Sequence, residues 1–176
     1  MKTQNPVIES ILTRRSIRAF TGAPADEAAL IAIAEAGLAA PSASNGRPRA
    51  LILVQRRDLL DRLCEILPYA KMLSTAAAAF VVCGLPAKDS GSASRFWTVD
   101  CAAASENILL AVHSLGLGAV WTAVYPNESL VQAVRQVLAI PEDVIPLNVI
   151  PIGVPAAAPD PREPDRLQDY LHMDTW

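Results

Sequence analysis

The sequence predicts one domain of mixed helix and sheet. Three observations carry that reading. The chain has 176 residues, a length one hydrophobic core can organise. Four short apolar runs, Leu51–Val54, Ala79–Val82, Ala119–Val124 and Leu147–Ile152, alternate with longer stretches of helical periodicity. None of the four is followed by G-x-G-x-x-G, and the chain contains no Walker A sequence. A Rossmann dinucleotide site and a P-loop are therefore disfavoured.

The elements follow in order. Asn5 and Pro6 read as an N-cap and first helical position, and Val7, Ile8, Ile11 and Leu12 form one apolar face. That helix runs into Arg14, Arg15, Ser16 and Arg18, and Gly22 and Pro24 break the chain. Asp26 caps a second helix striped by Leu30, Ile31, Ile33, Ala34 and Leu38, which Pro41 stops. Residues 41–49, PSASNGRPR, read as a shaped irregular loop. A third helix is expected over Asp58–Leu67, with a further helical stretch at Lys71 and Met72. Residues 86–94 read as a polar loop and a candidate lid. The longest helix is expected from about Phe96 to Leu115, with Gly116 as its stop. Asn127 caps a helix over Ser129–Leu138. Beyond Gly153 the prolines at 155, 159, 161 and 164 enforce an extended path, and Tyr170, Met173 and Trp176 give its end apolar weight. A tail of that kind is expected to wrap across another surface.

Composition sets limits on function. The chain is 52% hydrophobic and 19% charged, and the long helix has little polar surface. Ala102, Ala103 and Ala104 permit close approach of another helix, and a subunit interface is the economical place to bury such a helix. A net charge of -3 gives no global signal for nucleic acid. No signal peptide is read at the N-terminus, and the apolar run 76–85 is too short to span a bilayer. A soluble, cytoplasmic protein is the expectation. Cys64, Cys83 and Cys101 are too few and too far apart for a disulfide framework or a zinc site. His113 falls inside the apolar helix and reads as a packing histidine, while Asp100 and Glu106 read as capping or ion-pairing carboxylates.

Three segments remain for chemistry. In Arg14-Arg15-Ser16-Ile17-Arg18, three guanidiniums and a hydroxyl suit a phosphate, because the arginine fork pairs bidentately with its oxygens. The plain alternative is cations answering a helix macrodipole. In the loop Pro41 to Arg49, serines, an asparagine and backbone N–H groups can hydrogen-bond a planar heterocycle, or simply make a surface turn. In Leu117 to Thr122, small residues lead to Trp121 beside a hydroxyl. That is one wall of a flat pocket, or an ordinary core strand.

Taken in order, RRSIRAF at 14–20, APSASNGRP at 40–48, FWTVDCAAASENILLAVHSLGLGAVWTAVYP at 96–126 and IPLNVIPIG at 145–153 cover most of the chain. With these segments the sequence resembles the nitroreductase family of FMN-dependent oxidoreductases, in its compact branch. The resemblance implies an α+β sandwich with a mainly antiparallel sheet, a single domain over 1–176, and an intertwined homodimer whose tail, 154–176, wraps the partner. It implies FMN at each interface. Arg14, Arg15 and Ser16 would hold the phosphate and ribityl chain, with Arg18 bracing them. Pro41, Ser42, Ala43, Ser44 and Asn45, with Arg47, would come from the partner and line the ring. Gly118, Val120, Trp121 and Thr122 would flank its other side. Arg166, in preference to Arg162, would complete the phosphate site. NAD(P)H and an electron-poor acceptor, such as a nitroaromatic or quinone, would react in turn by a ping-pong cycle. No side chain is assigned as a dedicated acid or base, and no metal is implied. Another flavin reaction on this scaffold, or a non-enzymatic flavin-binding protein, are the alternatives. One departure stands out. Where the family often reads Asn-x-Gln-Pro-Trp, this chain has Asn45-Gly46-Arg47-Pro48-Arg49, which adds two arginines of open role.

Overall fold

The computed structural model describes residues 5–88, 91–160 and 163–176. Strand β5 (Ile145–Gly153) is the spine of the sheet. On one side it pairs β2 (Ala78–Gly84), which in turn pairs β1 (Arg49–Val54). On the other side it pairs two short strands, β3 (Gly118–Ala119) and β4 (Thr122–Ala123). Every one of these pairings is antiparallel. The architecture is α+β, as the resemblance implied.

The strand β2 reads AAFVVCG without polar alternation because both faces of the sheet are covered. Ala78, Phe80 and Val82 meet Leu30 and Ile33 of α2 (Glu27–Leu38) and Trp97, Cys101 and Ile108 of α4 (Ser92–Ser114). Ala79, Val81 and Cys83 meet Leu60 and Leu63 of α3 (Arg57–Ile66) and Val131 and Val134 of α5 (Glu128–Leu138). Each such large side chain contributes roughly 1.5–3 kcal/mol on burial. Gly37 lets α2 approach α4, since a Cβ there would stand 2.7 Å from Ile108 Cγ1.

Caps fall where the sequence places them. Asn5 Oδ1 accepts from the Val7 and Ile8 amides at the start of α1 (Pro6–Thr13). Asp26 Oδ2 accepts from Ala29 N, and Asn127 Oδ1 from Ser129 N and Leu130 N. Helix α4 closes in a Schellman motif, with Leu117 N donating to Val112 O, Gly116 N to His113 O, and Gly116 at φ +73°. Glycine tolerates that left-handed geometry without a Cβ clash. Among the described residues no helix is long and apolar enough to cross a membrane.

Four expected boundaries shift. Helix α4 begins at Ser92, so only part of the polar segment 86–94 is loop. Pro86–Lys88 form a 3-10 turn, and residues 89 and 90 lie outside the described residues. Strand β1 begins at Arg49, and Ala43–Asn45 make a 3-10 turn within the irregular loop. Strand β5 runs through Pro146 and Pro151, with a register shift between Val82 and Cys83 accommodating the first. The expected strand Ala119–Val124 is broken in two. Ala119 pairs Ile152 and Thr122 pairs Val149, so Val120 falls opposite Pro151, which has no N–H to give.

Gly84 tests this packing. A Cβ there would lie 2.1 Å from Trp97 Cε3, part of a rigid ring wedged at the end of the sheet. Gly84→Ala is expected to destabilise the fold by at least ~1–3 kcal/mol, read as a lower urea midpoint. An unchanged midpoint would contradict this packing.

Candidate functional site

The segment after α1 leaves the helix at Arg14 and runs extended along β3. Ile17 N donates to Ala119 O at 2.9 Å, and Ser16 bridges Ala119 in parallel. The Ile17 side chain occupies the space a Cβ on Gly118 would need, at 2.7 Å. The first and third candidate segments are thereby one structural unit.

The arginines are only partly engaged. Arg15 Nη1 donates to Leu12 O and Arg14 O, the carbonyls at the end of α1, so it does answer the helix end. Its Nε is buried with no hydrogen-bond partner. Arg14 Nε stands 3.5 Å from Glu106 Oε1, too long for a hydrogen bond, and is likewise buried and unpartnered. Two buried guanidinium donors on adjacent residues without a hydrogen bond, one of them only ion-paired at long range to Glu106, leave capacity for an anion. Ser16 and Arg18 are exposed beside them. Arg18 makes no hydrogen bond or ion pair within the described residues, so it does not brace the segment. A groove of about 440 Å³, lined by Arg15 to Ala19 and by Ala157 to Asp160, runs past this unit. That volume falls in the range of small-ligand sites, roughly 300–1,000 Å³. Arg166 does not line it; its Nε and Nη2 both reach Asp169 Oδ2 at 2.9 Å within the tail. Arg162 lies outside the described residues.

The third segment turns its side chains inward. Val120 and Thr122 are buried, and Thr122 Oγ1 donates to Val149 O at 2.6 Å. What these two can offer a ligand is backbone. Trp121 is half-buried and keeps part of its ring accessible.

The loop of residues 41–48 is anchored on α4. Ala43 N donates to Asp100 Oδ1 at 3.0 Å, and Ser44 Oγ lies 2.8 Å from Ser92 Oγ. Ser42 Oγ accepts from Arg47 N, Asn45 Oδ1 accepts from Arg47 Nε, and Lys88 Nζ donates to Arg47 O. Ser44, Asn45 and Arg47 all have positive φ, near +50°. Part of the polar chemistry expected to meet a ligand therefore braces the loop itself. The Asn45 amide N–H₂ and the Ser42 hydroxyl proton remain to be donated. Pro41 is exposed at the loop's start.

The two arginines of open role separate clearly. Arg47 is exposed on the loop. Arg49 is 7% exposed, and its Nη2 donates to Leu38 O at 2.7 Å and to Ala40 O at 2.5 Å. It touches neither a ligand groove nor solvent to any extent. Helix α2 ends on Ala39 without a left-handed glycine cap, and Arg49 supplies the missing donors.

Asp100 also departs from its expected role. It neither caps a helix nor pairs with a cation; it is 5% exposed and holds the loop. The sequence signal was its helical phase, since it shares the buried face of α4 with Trp97, Cys101 and Ala104. Glu106 does pair with Arg14. His113 Nε2 lies 2.9 Å from Thr13 Oγ1, joining the end of α4 to the end of α1. Burial, then the nearby Arg14 and Arg15, pull the His113 pKa down. Burial pushes the Cys83 and Cys101 thiols up to about 12, so neither is a nucleophile.

A family model described as the nitroreductase family matches residues 11–67 and 66–154. The chain belongs to the nitroreductase family. A protein of Methanothermobacter thermautotrophicus, provisionally named an NADH dehydrogenase/NAD(P)H nitroreductase, is 43% identical over 173 residues, covering 97% of this chain and 87% of its own. A crystal structure with the same provisional name from Parabacteroides distasonis superposes with a TM-score of 0.92 at 42% identity, covering 98% of this chain and all of that one. The NADPH:FMN oxidoreductase of Vibrio harveyi, solved with NAD+, superposes at 0.84 with 26% identity, covering 98% of this chain and 78% of its own. Within this family the unpartnered arginine donors sit on the segment the sequence singled out for phosphate.

The His113 contact makes a pH prediction. Its folded pKa lies below 6.5, so the unfolded chain binds the extra proton first as pH falls. The stability that neutral His113 contributes is complete above 6.5 and is lost progressively below it. Between about pH 7.5 and pH 5.5, the wild type is expected to lose more urea stability than His113→Gln. Parallel losses in the two proteins would remove His113 from the balance.

Proposed function

We propose that this protein is an FMN-dependent NAD(P)H oxidoreductase that reduces nitroaromatic, quinone or similar electron-poor acceptors, acting as a homodimer with a cofactor at each interface. The observation that carries it is the buried Arg15 Nε with no partner, beside an Arg14 Nε that has only a long ion pair to Glu106, on a segment hydrogen-bonded to Ala119 in a nitroreductase-family chain.

The donor set fits FMN. Arg14, Arg15 and Ser16 hold the phosphate, and Arg166 of the tail is the further cation proposed to join them. Gly118, Val120, Trp121 and Thr122 flank one side of the ring through backbone groups and the accessible part of Trp121. Pro41, Ser42, Ala43, Ser44 and Asn45, with Arg47, meet it from a second copy. When bound, the flavin supplies the redox chemistry, accepting a hydride from NAD(P)H and passing electrons to the second substrate in the same pocket in turn. The chain's part is binding, orientation and charge. Its buried thiols stay protonated and His113 is committed to Thr13, which accords with a site lacking a dedicated protein acid.

Three features support the dimer. Helix α1 buries none of its residues, and Val7, Ile8, Ile11 and Leu12 are 40–69% exposed. A free-standing helix of eight residues is marginal without packing, so this face needs a cover. The loop is anchored at Ser92 and Asp100, but the arginine segment at Glu106 and His113. Along the helix Glu106 lies roughly 9 Å from Asp100 and roughly 21 Å from Ser92, in keeping with a ring-side loop donated by the other subunit. The apolar tail residues Tyr170, Met173 and Trp176 are exposed as well, in keeping with a segment, 154–176, that wraps a partner.

Phosphate recognition is the test. Arg15→Ala is expected to weaken FMN binding about 10- to 100-fold, the loss of one charge-assisted hydrogen bond. Riboflavin, which lacks the phosphate, should change by less than about threefold. Equilibrium dialysis with both ligands reads the difference. Equal losses for the two would take the phosphate away from this segment.

A further inference from the structure

Asp100 is costly to the fold. It is 5% exposed on the sheet-facing side of α4, among Trp97, Cys101 and Ala104, where an apolar side chain would serve the helix better. Its Oδ2 is buried with no hydrogen-bond partner. No cation lies within ion-pair distance among the described residues. Arg49 is also buried, with Nε and Nη1 unpartnered, and it and Asp100 act on the Cys101 thiol with opposite signs. A carboxylate left half-satisfied in the interior needs a reason other than stability.

The loop above it supplies one. Ser44, Asn45 and Arg47 take left-handed backbone conformations that no glycine relieves. Such residues persist only where the surroundings over-determine them. Of the anchors that fix this loop, the Ser44–Ser92, Ser42–Arg47 and Lys88–Arg47 hydrogen bonds are all solvent-exposed and compete with water. Pro48 O, at the loop's end, accepts from Leu85 N and from buried Cys101 Sγ, but within the Ser42–Asn45 turn the inward bond is Ala43 N–H to Asp100, which spans 57 residues of sequence. A hydrogen bond to an ionised, desolvated acceptor is about twice as strong as a neutral one.

We propose that Asp100 is a positioning residue, whose buried carboxylate presets the Ser42–Asn45 loop in the conformation that receives the cofactor. It acts through the Ala43 amide and does not itself touch the flavin. This rests on the function proposed above.

The test uses the full chain and three proteins: wild type, Asp100→Asn and Asp100→Leu. Asparagine keeps an oxygen for the Ala43 amide; leucine keeps the volume and removes the acceptor. Three quantities are read: thermal midpoint without added FMN, FMN dissociation constant, and hydrogen exchange at Ala43 and its neighbours. Asp100→Leu is expected to hold or raise the midpoint, to weaken FMN at least about tenfold, and to speed exchange in the loop. Asp100→Asn should stay within about threefold of wild type for FMN. Should Asp100→Leu fail to fold, Asp100→Ser, too short to reach the loop, gives the same comparison. An Asp100→Leu protein that binds FMN as the wild type does overturns the proposal. So does a fall of midpoint and affinity together in both variants, which would make Asp100 structural only. A wild type that takes up no FMN overturns the function reading itself, and is recognised because all three proteins then fail alike.

Discussion

Helix α4 packs one face against the sheet and α2, and the candidate segments are anchored to it. The face that carries Trp97, Cys101, Ala104, Ile108 and Val112 is locked against β2 and β5, which fixes the helix in rotation and along its axis. From that fixed rod, Asp100 reaches the loop of residues 41–48, Glu106 reaches Arg14, and His113 reaches Thr13. Within one chain, the separation of the 41–48 loop from the arginine segment is therefore set by helical rise and not by flexible chain. A shift of α4 would displace the loop and the arginine segment of its own chain together.

The interior carries more unsatisfied polarity than its packing requires. Buried side-chain atoms without a hydrogen bond occur on Ser10, Arg14, Arg15, Arg49, Asp100 and Asn148. Two of these sit where an anion is proposed to bind, and one holds the loop proposed to meet the ring. Asn148 is tied by Nδ2 to Ser105 Oγ, but its Oδ1 has no partner, and the structure offers no reason for that. The site thus draws on stability supplied by the two apolar cores, which is the usual relation between a scaffold and the polar groups it holds ready.

Much of this was legible from local chemistry. Asn5, Asp26 and Asn127 announce their helices through side-chain caps, and Gly116 announces the end of α4, because capping involves neighbours a few residues away. The arginine segment was legible for the same reason. What escaped depends on partners distant in sequence. Arg49 looks like another loop cation until α2 is seen to end on Ala39 with bare carbonyls beside it. The break between β3 and β4 follows from Pro151, a residue of the strand opposite, and needs the register to be known. Asp100 was hidden because helical phase places it inside but does not say which amide it meets.

The proposed activity requires a bound flavin that nicotinamide can reduce. The most direct test is an anaerobic absorbance titration of the purified protein, first with NADH and then with NADPH. A bound flavin spectrum that at least one of the two bleaches is expected. A protein that takes up no FMN, or a bound flavin that stays oxidised after both, would contradict it.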